Sequence, residues 1–125
     1  MARKYLENPN SCPVVHTINL IGGKWKPLIL YNLEEKSVRF GKLHFLIPNI
    51  SRKVLTEQLR ELESDGLINR KKYNESPPRV EYSLTEKTKQ LVPILRQLGE
   101  WSYSFSDKEF VCCEVEKEEA VATLN

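Results

Sequence analysis

Apolar positions recur at helical spacing along most of the chain and switch to alternation between residues 67 and 84. Val14, Ile18 and Ile21 fall on one face of a first predicted helix. Ser11 or Cys12 stands at its cap, and Pro13 takes the first helical position, where a missing N–H costs nothing. Gly22-Gly23 ends it. Trp25, Leu28, Ile29 and Leu33 repeat the spacing over residues 24–34, with Pro27 confined to the first turn. Residues 38–40 read as a very short strand. Residues 41–46 read as a third helix that turns Leu43 and Leu46 inward and stops at Pro48.

The fourth helix, predicted over 52–64, is the most sharply divided. Leu55, Leu59 and Leu62 follow i, i+4, i+7 and must face a core, while Arg52, Lys53, Thr56, Glu57 and Arg60 occupy the opposite face. Ser51 is its N-cap, and Asn49 stands where the preceding turn needs a left-handed residue. After Asp65-Gly66 a basic strand (67–73), a turn (74–78) and a returning strand (79–84) follow, with Val80, Tyr82 and Leu84 alternating inward. From Thr85 a long helix carries Leu91, Ile94, Leu95, Leu98, Trp101 and Phe105 on one stripe, kinked or broken near Pro93. Helix, strand, turn, strand is the order of a winged helix-turn-helix. The predicted fold is therefore mainly α with a small β-wing, framed by extra helices at each end. The last stripe is broader than one small domain covers, which predicts a self-associating chain.

Charge sharpens this picture. The net charge of +2 hides a basic body, with 14 Lys and Arg against 9 Asp and Glu over residues 24–89. An acidic end holds 2 against 7 over residues 100–125. Such a body suits a polyanion on one face, and the tail should stay off that face. Three parts are expected: a flexible N-terminus (1–11), a DNA-binding and dimerisation domain (12–105) and an acidic tail (106–125). The longest apolar run, residues 27–31, is far short of the roughly 20 needed to cross a bilayer. With residues 1–7 polar and no secretory pattern, a cytoplasmic protein without membrane contact is expected.

Arg52, Thr56 and Arg60 form an i, i+4, i+8 ridge suited to a major groove about 12 Å wide. Arginine donates two bonds to a guanine edge; lysine, serine and threonine take phosphates, bases or a thymine methyl. The helix N-terminus adds free N–H groups. For that helix alone, a solvated face with Glu57–Arg60 and Glu61 ion pairs is the plainer explanation. The adjoining strand, with Arg70-Lys71-Lys72, and Arg79 at a tip stiffened by Pro77-Pro78, tip the balance toward double-stranded DNA. Ser51, Arg52, Lys53, Thr56, Arg60, Lys71, Lys72 and Arg79 are the candidate contacts. A winged-helix protein-interaction module without DNA binding is the alternative, and it would carry neutral or acidic residues at 52, 53, 60 and 79.

Enzymatic chemistry finds no support, because no nucleophile–base pair, paired carboxylates or phosphate loop occurs. Cys112 and Cys113 are adjacent, Cys12 is odd, and His16 and His44 lack acidic or cysteine neighbours at ligand spacing. No metal site or other cofactor is expected.

The motif series resembles the HxlR-type transcriptional regulators, relatives of the MarR winged-helix proteins. It comprises Cys12-Pro13, Ile21-Gly22-Gly23-Lys24-Trp25, Leu28-Ile29-Leu30, Arg39-Phe40-Gly41-Lys42-Leu43 and Ile47-Pro48-Asn49-Ile50-Ser51. It continues through Leu55-Thr56-Glu57-Gln58-Leu59-Arg60-Glu61-Leu62, Asp65-Gly66-Leu67-Ile68 and Pro77-Pro78-Arg79-Val80-Glu81-Tyr82-Ser83-Leu84-Thr85. The resemblance spans about residues 12–105. It departs from the family at Asn49 and Thr88, both usually glycine. It implies a homodimeric bacterial transcription factor on an inverted-repeat operator, with repression the expected mode and activation open. It also implies that the first and last helices build the dimer interface, here Val14, Ile18, Leu91, Leu95, Leu98, Trp101 and Phe105. Some similar proteins sense electrophiles or oxidants through the cysteine matching Cys12, which makes an electrophile or small-molecule effector a candidate partner. A thiol there sits at the positive end of a helix dipole; an unreactive capping cysteine is the alternative.

Overall fold

Helix α1, Pro13–Ile21, opens the computed structural model, which describes residues 11–104. Cys12 is its extended N-cap, Pro13 takes the first turn, and Gly22 returns its N–H to the Ile18 carbonyl. Helix α2, Trp25–Asn32, is shorter than its apolar spacing predicts. Leu33 closes it with a tight turn onto Leu30 and Tyr31, and the buried Asn32 amide donates 2.8 Å to the Leu28 carbonyl.

Strand β1 is only Val38–Arg39, and helix α3, Phe40–Leu46, begins at Phe40 instead of after it. Leu43 is buried as expected, but Leu46 is only half-buried. The chain turns extended at Ile47, whose side chain takes the inward position. In the turn that follows, Asn49 has φ 69°, in the left-handed region that asparagine tolerates better than most residues. His44 Nε2 lies 3.0 Å from the Ile50 carbonyl and ties α3 to this turn.

Helix α4, Arg52–Ser64, begins where the Ser51 hydroxyl accepts the Val54 N–H at 3.0 Å. It ends in a paired cap: Gly66 N–H reaches Glu63 O at 3.0 Å and Leu67 N–H reaches Leu62 O at 2.9 Å. That cap requires Gly66 at φ 75°. Leu55, Leu59 and Leu62 are fully buried.

Strands β2, Ile68–Tyr73, and β3, Arg79–Leu84, form the wing. The sheet is antiparallel in the order β1-β3-β2, so the two-residue β1 gives the wing a third strand at its base. Ile68 pairs with Leu84 at the core end and Tyr73 with Arg79 at the tip. Tyr82 and Leu84 point into the core, and Val80 packs against its edge.

The predicted long helix is two helices, α5 (Glu86–Lys89) and α6 (Val92–Tyr103), with Pro93 in the first turn of α6. The Thr85 hydroxyl lies 2.8 Å from that of the buried Thr88 and satisfies it. Of the residues assigned to a dimer interface, one belongs to the chain's own core and another packs against that core. Leu95 is 6% exposed, and Leu91 packs half-buried against the core cluster. The break at residues 90–91 rotates these two inward, whereas Ile94, Leu98 and Trp101 point out, as do Val14 and Ile18. Phe105, residues 1–10, the acidic tail and Cys112-Cys113 lie outside the described residues. Among those described, no helix is long and apolar enough to cross a membrane.

Candidate nucleic-acid interface

The outer face of α4 carries an uncompensated row of cations. Among the described residues, no ion pair involves Arg52, Lys53 or Arg60, and all three are exposed. The pairing that would have made this an ordinary solvated face does not form. Glu61 turns away toward α2, its carboxylate 2.7 Å from the Lys26 ammonium, and no Glu57–Arg60 pair is present. Lys26 is buried, so this bond across two helices also fixes the rotation of α4 about its axis.

Phe40, Arg52, Lys53, Thr56, Glu57 and Arg60 line one open depression. The Thr56 hydroxyl donates 2.8 Å to the Arg52 carbonyl, which leaves the side chain its lone pairs and methyl for a partner. Ser51 spends its oxygen on the Val54 N–H and keeps its own O–H free to donate. The backbone N–H groups of Arg52 and Lys53 lie in the first turn, which has no intrahelical acceptor for them, so they complete an anion-favouring end. Phe40 belongs to this surface although its sequence position did not suggest it. The Arg52 guanidinium lies 5.0 Å above its ring.

The wing adds cations unevenly. By the β2–β3 register, Arg70 and Lys72 share a face with Tyr82 and Val80, and Lys71 shares the other with Glu81. Lys71 Nζ lies 4.8 Å from the Tyr73 ring centre. Arg79 differs from the free tip cation expected of it. Its guanidinium sits 3.2 Å from both Glu75 and Glu81 and 3.9 Å from the Tyr73 ring, with the side chain only 25% exposed. Ser37 in turn donates 2.9 Å to Glu81. Arg79 is thus a staple that closes the tip of the wing onto itself, and among the described residues no ion pair or ring contact involves Arg70 or Lys72.

Cys12 is half-buried at the start of α1 and is the free cysteine among the described residues. No group of His, Cys, Asp and Glu there could hold a metal.

A family model for HxlR-like helix-turn-helix proteins matches residues 20–110. An HTH-type transcriptional regulator of Methanothermobacter thermautotrophicus is 50% identical over 98 residues, covering 78% of this chain and 75% of that one. The redox regulator HypR in its reduced form superposes with a TM-score of 0.72 at 45% identity, over 77% of this chain and 95% of HypR. The reduced transcriptional regulator YodB of B. subtilis superposes with a TM-score of 0.69 at 33% identity, over 79% of this chain and 98% of YodB. The chain belongs to the HxlR-like helix-turn-helix family and is a winged-helix, DNA-binding transcriptional regulator, not an enzyme.

Proposed function

We propose that two copies of the chain bind one operator of two inverted half-sites, spaced about one helical turn or a multiple of it. The observation that carries this reading is the unpaired row Arg52, Lys53 and Arg60 around Thr56, on the face of α4 opposite its buried leucines. In it, α4 lies in the major groove, where Arg52 and Arg60 take base edges and Lys53, Ser51 and the first-turn N–H groups take phosphates. The wing lies along the flanking backbone. The place of action is the cytoplasm, and occlusion of a promoter is the mode of control. Duplexes selected by the protein from a randomised pool test this directly. A two-fold-symmetric consensus is expected, and an asymmetric single site would overturn it.

The wing's share should be electrostatic and blind to sequence. Lys72→Ala is expected to reduce the slope of log affinity against log salt by about 1.8, one phosphate contact from each of the two copies. Arg79→Ala should leave that slope close to wild type, because Glu75 and Glu81 already neutralise it. Salt titrations of both variants check this, and a lost slope for Arg79→Ala with none for Lys72→Ala would reverse the assignment.

The response of the regulator is assigned to Cys12, supported by its place at the start of α1 and by the likeness to HypR, a redox regulator. Addition of a quinone forms one carbon–sulfur bond and moves the thiol proton to the reduced ring. The added bulk lies beside the exposed Val14 and Ile18 of α1 and biases the spacing of the two α4 helices. Quinone should weaken operator binding by wild type and leave Cys12→Ser unaffected. An equal response in both proteins would place the sensor elsewhere.

A further inference from the structure

We propose that Phe40 is a positioning residue for DNA readout. Its ring is a shelf that holds the Arg52 guanidinium in one orientation, making Arg52 the discriminating contact of α4. The inference rests on the reading that α4 enters the major groove. Phe40 packs against the hydrophobic core yet remains half-exposed, and it lines the same depression as Arg52. The ring is therefore anchored from within and presents its other side to the cation, 5.0 Å away and inside the roughly 6 Å reach of a cation–π contact. Behind Arg52 the backbone is also held, by the Thr56 hydroxyl on its carbonyl and by the Ser51 cap one residue earlier. Among the described residues, no carboxylate pairs with Arg52 to compete for the guanidinium.

Lys53 and Arg60, on the same face, have no such ring contact among the described residues. An arginine is a planar fork on a flexible stem, and the entropy lost in aiming it is a cost of binding. A shelf removes part of that cost before DNA arrives, and only for the orientation it supports. Arg52 is then stiff, and a stiff fork rejects the wrong base edge. Lys53 and Arg60 are adaptable, so they add affinity with less discrimination. Phe40 sets how strictly one base pair of each half-site is read.

The test uses the intact protein and a duplex it selects from a randomised pool, with each base pair then exchanged in turn. Phe40→Leu keeps the apolar packing and removes the aromatic face. It is expected to bind the selected duplex about 5- to 10-fold more weakly and to lose a similar factor of preference at one base pair per half-site, with binding to unrelated duplex unchanged. Phe40→Tyr, which keeps the face, should restore both. In an Arg52→Ala background Phe40→Leu should have no further effect. In the free wild-type protein, the Arg52 Nε proton should resonate upfield, shifted by the ring above which it lies. An unshifted Arg52 resonance overturns the proposal whether or not the variant folds. So does a Phe40→Leu loss that is uniform across duplexes or persists undiminished without Arg52. Wild-type affinity in Arg52→Ala would instead overturn the major-groove reading on which the proposal stands.

Discussion

The Arg52→Ala, Arg60→Ala double variant is expected to lose nearly all preference for its operator over unrelated DNA. Each base-contacting arginine contributes about 1–3 kcal/mol in a half-site. Eight residues of helix separate the two by about 12 Å, beyond the roughly 7–10 Å within which substitutions couple. Their losses should add to about 2–6 kcal/mol per half-site, and each factor of ten in affinity is about 1.4 kcal/mol. Stability should barely move, because among the described residues neither side chain makes an ion pair and the buried side of α4 is leucine. Anisotropy titrations and thermal melts of the two single variants and the double check both halves of this expectation. Wild-type affinity with an unchanged melt would remove the recognition role from α4.

Helix α4 was legible in the sequence because two independent signals agree on it. The i, i+4, i+7 leucines fix which side is inside, and Ser51 and Gly66 fix where the helix starts and stops. The wing was legible from the alternation of Val80, Tyr82 and Leu84. The partners of Arg79 are not legible in the sequence, because its environment is set across the sheet. Glu75 and Glu81 are near in sequence, but only the Tyr73–Arg79 register brings the ring under the guanidinium. The place of Phe40 on the α4 surface is not legible in the sequence for a related reason. Phe40 stands twelve positions before Arg52, and their meeting depends on α3 beginning at Phe40 and on the left-handed turn at Asn49. Helix α6 shows a third kind of limit. Residues 91, 95 and 98 and residues 94, 98 and 101 are both apolar helical stripes, and hydrophobicity alone does not tell which faces the chain's own core. The break before Val92 decides it, turning Val92 and Leu95 inward.

That division of α6 makes the proposed dimer testable by one residue. Trp101 is 65% exposed and Val14 68% exposed, and Ile18, Ile94 and Leu98 are more than half exposed. Five large apolar side chains on two helices are costly to leave in water, at about 25 cal/mol for each Å² of apolar surface. Leu98→Glu places a carboxylate on this face. In the proposed dimer it would face its own symmetry mate's apolar surface without a partner, so wild type should scatter light as a dimer at micromolar concentration and the variant as a monomer. Helical circular dichroism should persist, since Val92 and Leu95, not Leu98, anchor α6 to the core. Operator affinity should then fall by about 10²–10⁴, because joining two half-site readers makes the second binding event intramolecular. Affinity for an isolated half-site should be unchanged, a result that a misfolded variant would not give. A Leu98→Glu protein that remains a dimer would mean that a surface other than the outer face of α6 joins the two chains.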